Sequence, residues 1–374
     1  MSVLQFTTEQ SPAFGGLFTT PQAFKEILSK SQIVETISHS SSHETFGDHQ
    51  IRMNDTSILK GYPIPINHKS VLKTIRAESI SLVIIHGLWR SHAVIGYEFA
   101  KQHNIPYWFI PHGGLDPYVF SYRSKRKNIW LSLIGNEIIR NASAVICASD
   151  REYEKASHHL ANANVEVCHW GIEVPDLDDV SKWRTEIRDK LGIAEDKRVL
   201  LYLGRLHPMK SPIETALAFK RMNLPDWCLL MVGPLSSDIQ ESDIQNIFNN
   251  RSMYYIPPVS GIDKWKMLAA ADAFVNFSHR ENFGNSVAEA SAIGLPLIIS
   301  DGVDIAPFFQ NAGAADILSV KSFHDIPIAL ESFLCKTPAE HHQMGVNAHE
   351  CFHKNFTYAR FKENLISLCQ QYSK

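Results

Sequence analysis

Two short stretches of the chain concentrate residue types that can hold a diphosphate and the sugars around it. The first is Gly204-Arg205-Leu206-His207-Pro208-Met209-Lys210-Ser211-Pro212, between the apolar run Val199 to Leu203 and a helical pattern. Its glycine lets the backbone turn tightly, and Arg205 and Lys210 bring two positive charges to one loop. Arginine offers a planar fork to phosphate oxygens and lysine a compact point charge, so a diphosphate suits the pair. Read alone, the loop is equally a solvated turn whose basic groups meet only water. The second stretch, Arg280 to Ala290, follows the run Ala273 to Phe277 and carries Glu281 and Glu289 with seven residues between them. Gly284, Asn285 and Ser286 fall near the first turn of a predicted helix, where amides without partners and the helix dipole favour an anion. Glu289 lies one turn further on, on the Asn285 face, and can accept hydrogen bonds from two vicinal hydroxyls, as a ribose requires. Glu281, ahead of the helix, can grip sugar hydroxyls on the other side of the phosphate. In isolation, two such glutamates read more readily as a capped helix with a surface ion pair.

These stretches need rigid elements to place them. Short apolar runs ending in Gly, Asp, Ser or Pro alternate with longer amphipathic segments. Leu82 to Ile85, Tyr107 to Ile110 and Ala144 to Cys147 are predicted as buried strands of a first half. Val199 to Leu203, Cys228 to Val232, Ala273 to Phe277 and Leu297 to Ser300 repeat the pattern in a second. Runs apolar on both faces suit parallel strands covered by helices on each side, and helical patterns such as Pro212 to Arg221 and Asp263 to Ala271 lie between them. The expected class is α/β, with two doubly wound sheets and ligands beyond the carboxyl ends of the strands. The pattern breaks over 171–197, where a polar, charge-rich stretch precedes a fresh strand. The expected domains are residues 1–172 and 173–355, with a C-terminal helix over about 356–374 crossing back onto the first.

In the first half, His112-Gly113-Gly114-Leu115-Asp116 follows the strand Tyr107 to Ile110, and its glycines permit close backbone approach to a ligand. His86-Gly87-Leu88-Trp89 follows the strand before it, and Trp89 either stacks on a sugar face or simply packs. Four cations gather in Arg123-Ser124-Lys125-Arg126-Lys127, next to Ile129, Trp130, Leu131, Leu133 and Ile134. A solvated helix face is the first reading of that segment; a peripheral membrane contact or a lipid-diphosphate site is the second. A net charge of -3 over 374 residues excludes a polycation built to hold nucleic acid. The six cysteines are scattered without a C-x-x-C pair, which argues against a disulfide framework or a zinc site. The first residues lack the regions of a signal peptide, and no apolar stretch approaches the ~20 residues of a membrane span, so a cytoplasmic protein is expected. No Asp-x-Asp motif follows a strand in a suitable place, so protein cations rather than a metal ion are expected at the phosphates.

Gly204-Arg205 with Lys210, followed by Glu281 and Glu289 in a Phe-Gly setting, resembles the retaining GT-B glycosyltransferases of family 4, and the similarity runs nearly the full chain. Gly15-Gly16 resembles the family's N-terminal glycine loop, and Trp170 to Pro175 its interdomain segment. Met344-Gly345 with Asn347, Ala348, Phe356 and Tyr372 resembles its C-terminal helices. The resemblance implies two Rossmann-like domains facing across a cleft, the first on the acceptor side and the second binding a nucleotide-sugar donor. It implies no cofactor beyond that co-substrate, with a UDP-sugar such as UDP-glucose expected from the commonness of such donors. A glycan or lipid-linked hydroxyl would be the acceptor, in bacterial exopolysaccharide or cell-envelope glycan synthesis. Arg205 and Lys210 would bind the diphosphate, Glu289 the ribose, and Glu281 the transferred sugar. Asn282, Phe283, Gly284, Asn285 and Ser286 would complete the pocket, Ile256 and Pro258 would border the base, and Gly15 and Gly16 would approach the donor. His112 would contact the donor sugar, with Trp89 and Asp116 as candidate acceptor contacts. Two departures stand out: Lys210 is followed by Ser-Pro and Glu281 by Asn, where the family has Gly, yet neither removes a charge. An epimerase of the same fold and a non-catalytic nucleotide-sugar-binding protein are the alternatives.

Overall fold

The computed structural model describes residues 2–8, 16–30, 33–40, 48–54, 64–65, 67–121, 124–222, 224–248 and 252–372. Gly15 and Arg123 lie outside them. The chain divides into two compact units, Met1–Trp170 with Ala359–Lys374, and Gly171–Tyr358.

Eight strands build the sheet of the first unit: β1 (Ser2–Thr7), β2 (Ile33–Ser40), β3 (His49–Asn54), β4 (Ile64–Pro65), β5 (Ile80–His86), β6 (Tyr107–Ile110), β7 (Ala144–Cys147) and β8 (Val165–Val167). Their order is β4-β3-β2-β1-β5-β6-β7-β8, parallel except for β4. Every residue of β1, β5, β6 and β7 is buried, which is why β6 and β7 read as unbroken apolar runs. Chain order reverses direction between β1 and β5, so their carboxyl ends form the switch point where open α/β sheets take ligands. Around the sheet lie α1 (Gly16–Leu28), α2 (His68–Leu72), α3 (Ser91–Gln102), α4 (Ser124–Trp130), α5 (Asn136–Arg140) and α6 (Asp150–Leu160). A single π-turn, Leu131–Gly135, links α4 to α5. The chain returns to this unit at its end: Phe361 packs on Phe24 and Trp170, and the Tyr372 hydroxyl donates to Glu166 at 2.6 Å.

The second unit holds six parallel strands, β9 (Arg198–Leu203), β10 (Trp227–Val232), β11 (Met253–Ile256), β12 (Ala273–Asn276), β13 (Leu297–Ser300) and β14 (Ala315–Leu318), in the order β11-β10-β9-β12-β13-β14. Here the switch point falls between β9 and β12. Its helices are α7 (Val180–Leu191), α8 (Pro212–Met222), α9 (Glu241–Ile247), α10 (Gly261–Ala269), α11 (Asn285–Ala292), α12 (Ala306–Asn311), α13 (Ile326–Leu334) and α14 (Pro338–Asn355), followed by α15 (Tyr358–Tyr372), most of which belongs to the first unit. The polar stretch after residue 175 is no open linker. Most of it is α7, which buries Trp183 and Ile187 and sends Arg184 and Arg188 to Asp272, each at 2.6 Å.

Helix α14 comes so close to the turn before β13 that a Cβ on Gly345 would lie 2.3 Å from the Gly294 carbonyl oxygen. Backbone cannot yield there as a flexible side chain can. Gly345→Ala is expected to cost about 1–3 kcal/mol by overpacking, seen as a Tm lower by roughly 5 °C in a thermal melt.

Candidate functional site

Glycine shapes the carboxyl edge of the second unit's sheet. Gly204 leaves β9 and Gly233 leaves β10 with φ of +154° and +149°. A Cβ on Gly233 would sit 2.0 Å from the Gly204 carbonyl oxygen, so only glycine lets the two strand ends run in contact. The chain then makes a 3-10 turn, Pro208–Lys210, capped by His207, whose Nδ1 accepts from the Met209 amide at 3.0 Å. After β12, the His279 amide donates to the Met209 carbonyl at 2.8 Å, tying one strand-end loop to the other across the switch point. The Glu281 amide donates to Gly302 at 2.8 Å, and its carbonyl accepts from Asp304 at 3.0 Å, which adds the loop after β13. Gly302 is forced as well, since a Cβ there would lie 2.1 Å from the Ser278 carbonyl oxygen.

On this frame Lys210 and Glu281 form an ion pair. Arg205 is exposed, and its guanidinium has no carboxylate partner among the described residues. Gly284, at φ +99°, starts α11, and the Asn285 and Ser286 amides have no acceptor among the described residues. Such amides at a helix start favour an anion. Glu289 is 8% exposed and accepts from Lys264 Nζ at 2.5 Å. Burial pushes its carboxyl above the ordinary range, against the pull of Lys264. Its second oxygen has no partner among the described residues and is available to a hydroxyl.

Sequence reasoning located Arg205, Lys210, Glu281 and Glu289 but missed Lys264, Gly233 and Gly302. Gly233 follows directly on an apolar run, the same signal that marked Gly204, and Gly302 comes one residue after the end of another, whereas nothing near Lys264 points to a carboxylate 25 residues away. Asn282, Asn285 and Ser286 are half-buried beside Glu281. The Phe283 ring instead belongs to the core, edge-on to Phe356 at 5.6 Å, so only its backbone can serve a ligand. Pro258 is exposed beyond β11, but the Ile256 carbonyl already accepts from Gly233 at 3.1 Å.

In the first unit, His86 ends β5 and His112 follows β6. Their rings lie 22° from parallel, with His86 Nδ1 and His112 Nε2 3.0 Å apart. His86 Nε2 meets Gln5 of β1 at 2.9 Å, and His92 Nε2 donates to the His86 carbonyl at 2.6 Å. Burial holds His86 well below the usual imidazole range and pushes His92 down to about 4 and His112 down to about 3. Gly16 opens α1. The two candidate acceptor contacts are occupied. Trp89 Nε1 donates to the Gly114 carbonyl at 2.8 Å while its ring packs on Phe120 and Trp130. Asp116 accepts from the Tyr118 amide at 2.8 Å and pairs with Lys155 at 3.5 Å. Packing, the plainer of the two readings for Trp89, describes it.

Residues 34–174 match the family model described as Glycosyltransferase Family 4, and residues 184–349 that of Glycosyl transferases group 1. The chain is 28% identical over 279 residues to the GDP-mannose:cellobiosyl-diphosphopolyprenol alpha-mannosyltransferase of Xanthomonas oryzae pv. oryzae, covering 73% of this chain and 67% of that protein. It spans less of two other curated relatives, 62% of one and 47% of the other. Among solved structures it is similar to sucrose-phosphate synthase from Thermosynechococcus elongatus, with a TM-score of 0.78, 18% identity and coverage of 99% of this chain and 98% of that one. HepE of Anabaena in complex with UDP-glucose gives a TM-score of 0.74 at 15% identity, over 99% and 100% of the two chains. At such identities the likeness is one of fold, the two-domain α/β GT-B fold.

The buried histidines make the first unit acid-sensitive. Their folded pKa values lie below the unfolded value of about 6.5, so the unfolded chain binds more protons as pH falls. Stability contributed by their neutrality is intact above about pH 7 and is lost from about 6.5 downward, by about 2 kcal/mol at pH 5 for a ring as buried as His92. Hydrogen exchange of β5 and β6, corrected for intrinsic rates, should show protection falling between pH 7.5 and 5; constant protection would contradict neutral burial.

Proposed function

Because the chain belongs to the family 4 type of glycosyltransferases, we propose that it moves a hexose from a nucleotide-sugar donor to a hydroxyl of a glycan or lipid-linked acceptor, retaining the anomeric configuration without a metal ion. The observation that carries this is the meeting of Lys210 and Glu281 from two strand-end loops at a switch point, beside the unpaired Arg205 and the amides opening α11. Lys210 and Arg205 take the diphosphate, Glu281 a sugar hydroxyl, and the free oxygen of Glu289 a ribose hydroxyl. As the bond from the anomeric carbon to phosphate breaks, charge grows on the nucleoside diphosphate, where fixed cations and amides already wait. The acceptor oxygen bonds to the same face of that carbon, and its proton passes to the departing phosphate. In the first unit, His112 takes a sugar hydroxyl.

A UDP-hexose, UDP-glucose first, is the proposed donor, supported by the UDP-glucose complex of HepE, which shares the fold. The printed name of the Xanthomonas relative makes GDP-mannose the competitor and a lipid diphosphate a model for the acceptor. Thermal shifts with UDP-glucose and GDP-mannose decide between the donors. With the donor that binds, Arg205→Ala and Lys210→Ala should each lower turnover by about two orders of magnitude, from about 3 kcal/mol per preorganised contact. Glu289→Gln should weaken nucleotide affinity. Sugar interconversion without transfer would instead mark an epimerase, and binding without turnover an inert sensor.

Work at the cytoplasmic face of a membrane completes the proposal. No described helix is long and apolar enough to cross one. Yet the stretch from α4 through the π-turn exposes Ile129 at 60% and Leu133 at 75%, with Lys125 and Arg126 also exposed. Apolar side chains beside cations suit an anionic lipid surface. Lys127 belongs less to that face, because its Nζ donates to the Val119 carbonyl. Lys125→Glu with Arg126→Glu should abolish cosedimentation with anionic vesicles and leave turnover on a soluble acceptor intact; undiminished cosedimentation would refute the contact.

A further inference from the structure

Three neutral side chains in the first unit form a hydrogen-bonded chain whose polarity can be read from one end. Gln5 is buried on β1, and its Nε2 donates to the Pro21 carbonyl at 3.3 Å. That bond orients the amide so that Oε1 faces His86 Nε2 at 2.9 Å. An amide oxygen only accepts, so His86 carries its proton on Nε2. A neutral imidazole has one N–H, so His86 Nδ1 is an acceptor. His112 Nε2, 3.0 Å away, must therefore be the donor. What remains on His112 is Nδ1, a lone pair with no partner among the described residues, on a largely desolvated residue that keeps some exposure.

The backbone of His112 is held just as firmly. It sits at φ +50°, a conformation a residue with a side chain rarely adopts, and the surroundings must enforce it. Glu152 of α6 supplies that constraint, since its two carboxylate oxygens accept from the Gly113 amide at 2.5 Å and the Ala148 amide at 2.6 Å. The ring's other neighbours are Trp170 and the His86 ring, and Phe24 packs edge-on to His86. No carboxylate touches either imidazole among the described residues, and low-dielectric surroundings disfavour a charge on both.

We infer that His86 and Gln5 are positioning residues that lock His112 as the neutral Nε2–H tautomer, so that it offers a ligand hydroxyl an acceptor-only Nδ1. Such a nitrogen takes a hydroxyl hydrogen and is repelled by a carboxylate. That the hydroxyl belongs to a sugar rests on the glycosyltransferase reading; the tautomer does not.

Long-range proton–nitrogen NMR of the full chain labelled at histidine nitrogens reads the tautomer directly, with His112→Asn assigning the signals. Wild type should show His112 protonated at Nε2 and bare at Nδ1. His86→Leu removes the acceptor and should give a mixture of tautomers, with kcat at least tenfold lower and donor KM within threefold. His86→Gln can accept from His112 through its oxygen and donate to Gln5 through its nitrogen, so it should restore both the tautomer and most of kcat. An Nδ1–H tautomer in wild type, a tautomer unchanged in His86→Leu, or a mixed tautomer with unchanged kcat would each overturn the inference. Absence of transfer from any nucleotide sugar, with the tautomer as stated, would instead count against the glycosyltransferase reading.

Discussion

Backbone crowding at the carboxyl edge of the β9–β14 sheet is the constraint on which the residues proposed for the donor depend. Parallel strands buried on both faces can present chemistry only where they end, and there the loops compete for space. Gly233 and Gly302 resolve that competition by giving up a side chain. Each would put a Cβ within about 2 Å of a neighbouring carbonyl oxygen, and each therefore lets two strand ends touch. The hydrogen bonds that follow, from His279 to Met209 and between Glu281 and the Gly302–Asp304 segment, join loops far apart in sequence. Lys210 and Glu281 meet because their backbones are already fixed. Their pairing results from the frame rather than building it.

The two units solve opposite electrostatic problems. In the second, three cations sit near two carboxylates, and each lysine has one of its own: Lys210 with Glu281, Lys264 with Glu289. Mutual repulsion among the cations is thereby limited, while Arg205 keeps a charge that nothing in the described structure neutralises. In the first unit, burial removes charge altogether. Three imidazoles lie close together, and protonating any one would mean desolvating a cation beside its neighbours. One unit thus presents fixed charge at its strand ends, the other fixed neutral dipoles.

Much of this was legible in the residues before any coordinates. Tyr107–Ile110, Ala144–Cys147 and Leu297–Ser300 begin and end where their apolar runs do, because strands buried on both faces leave no alternation to blur the edges. Strand β2, Ile-Val-Glu-Thr-Ile-Ser-His-Ser, escaped notice because five of its eight residues are polar. Helix α7 hid inside a stretch that looks like a linker: its buried stripe includes Arg188, made tolerable by Asp272, 84 residues away. The same blindness covers Lys264, Glu152 and Gln5. Each is an ordinary polar residue until the fold brings a partner 25, 39 or 81 positions away.

Local pattern therefore reports which residues stand at strand ends, and long-range pairing decides what those residues can do. His112 shows the difference. Its place after β6 and before two glycines marked it as a ligand contact, but the histidine type alone allows an acid, a base, a donor or an acceptor. The choice among the four is made by an amide on β1, through the ring that ends β5, and by a carboxylate on α6 that pins the loop. None of these groups needs to touch a substrate. Because β1 and β5 flank the switch point of their sheet, the topology that opens a crevice there also carries the hydrogen-bond chain to its edge. Topology and tautomer are in this sense one feature: a different strand order would leave Gln5 beyond reach of His86, and His112 without a defined face to offer.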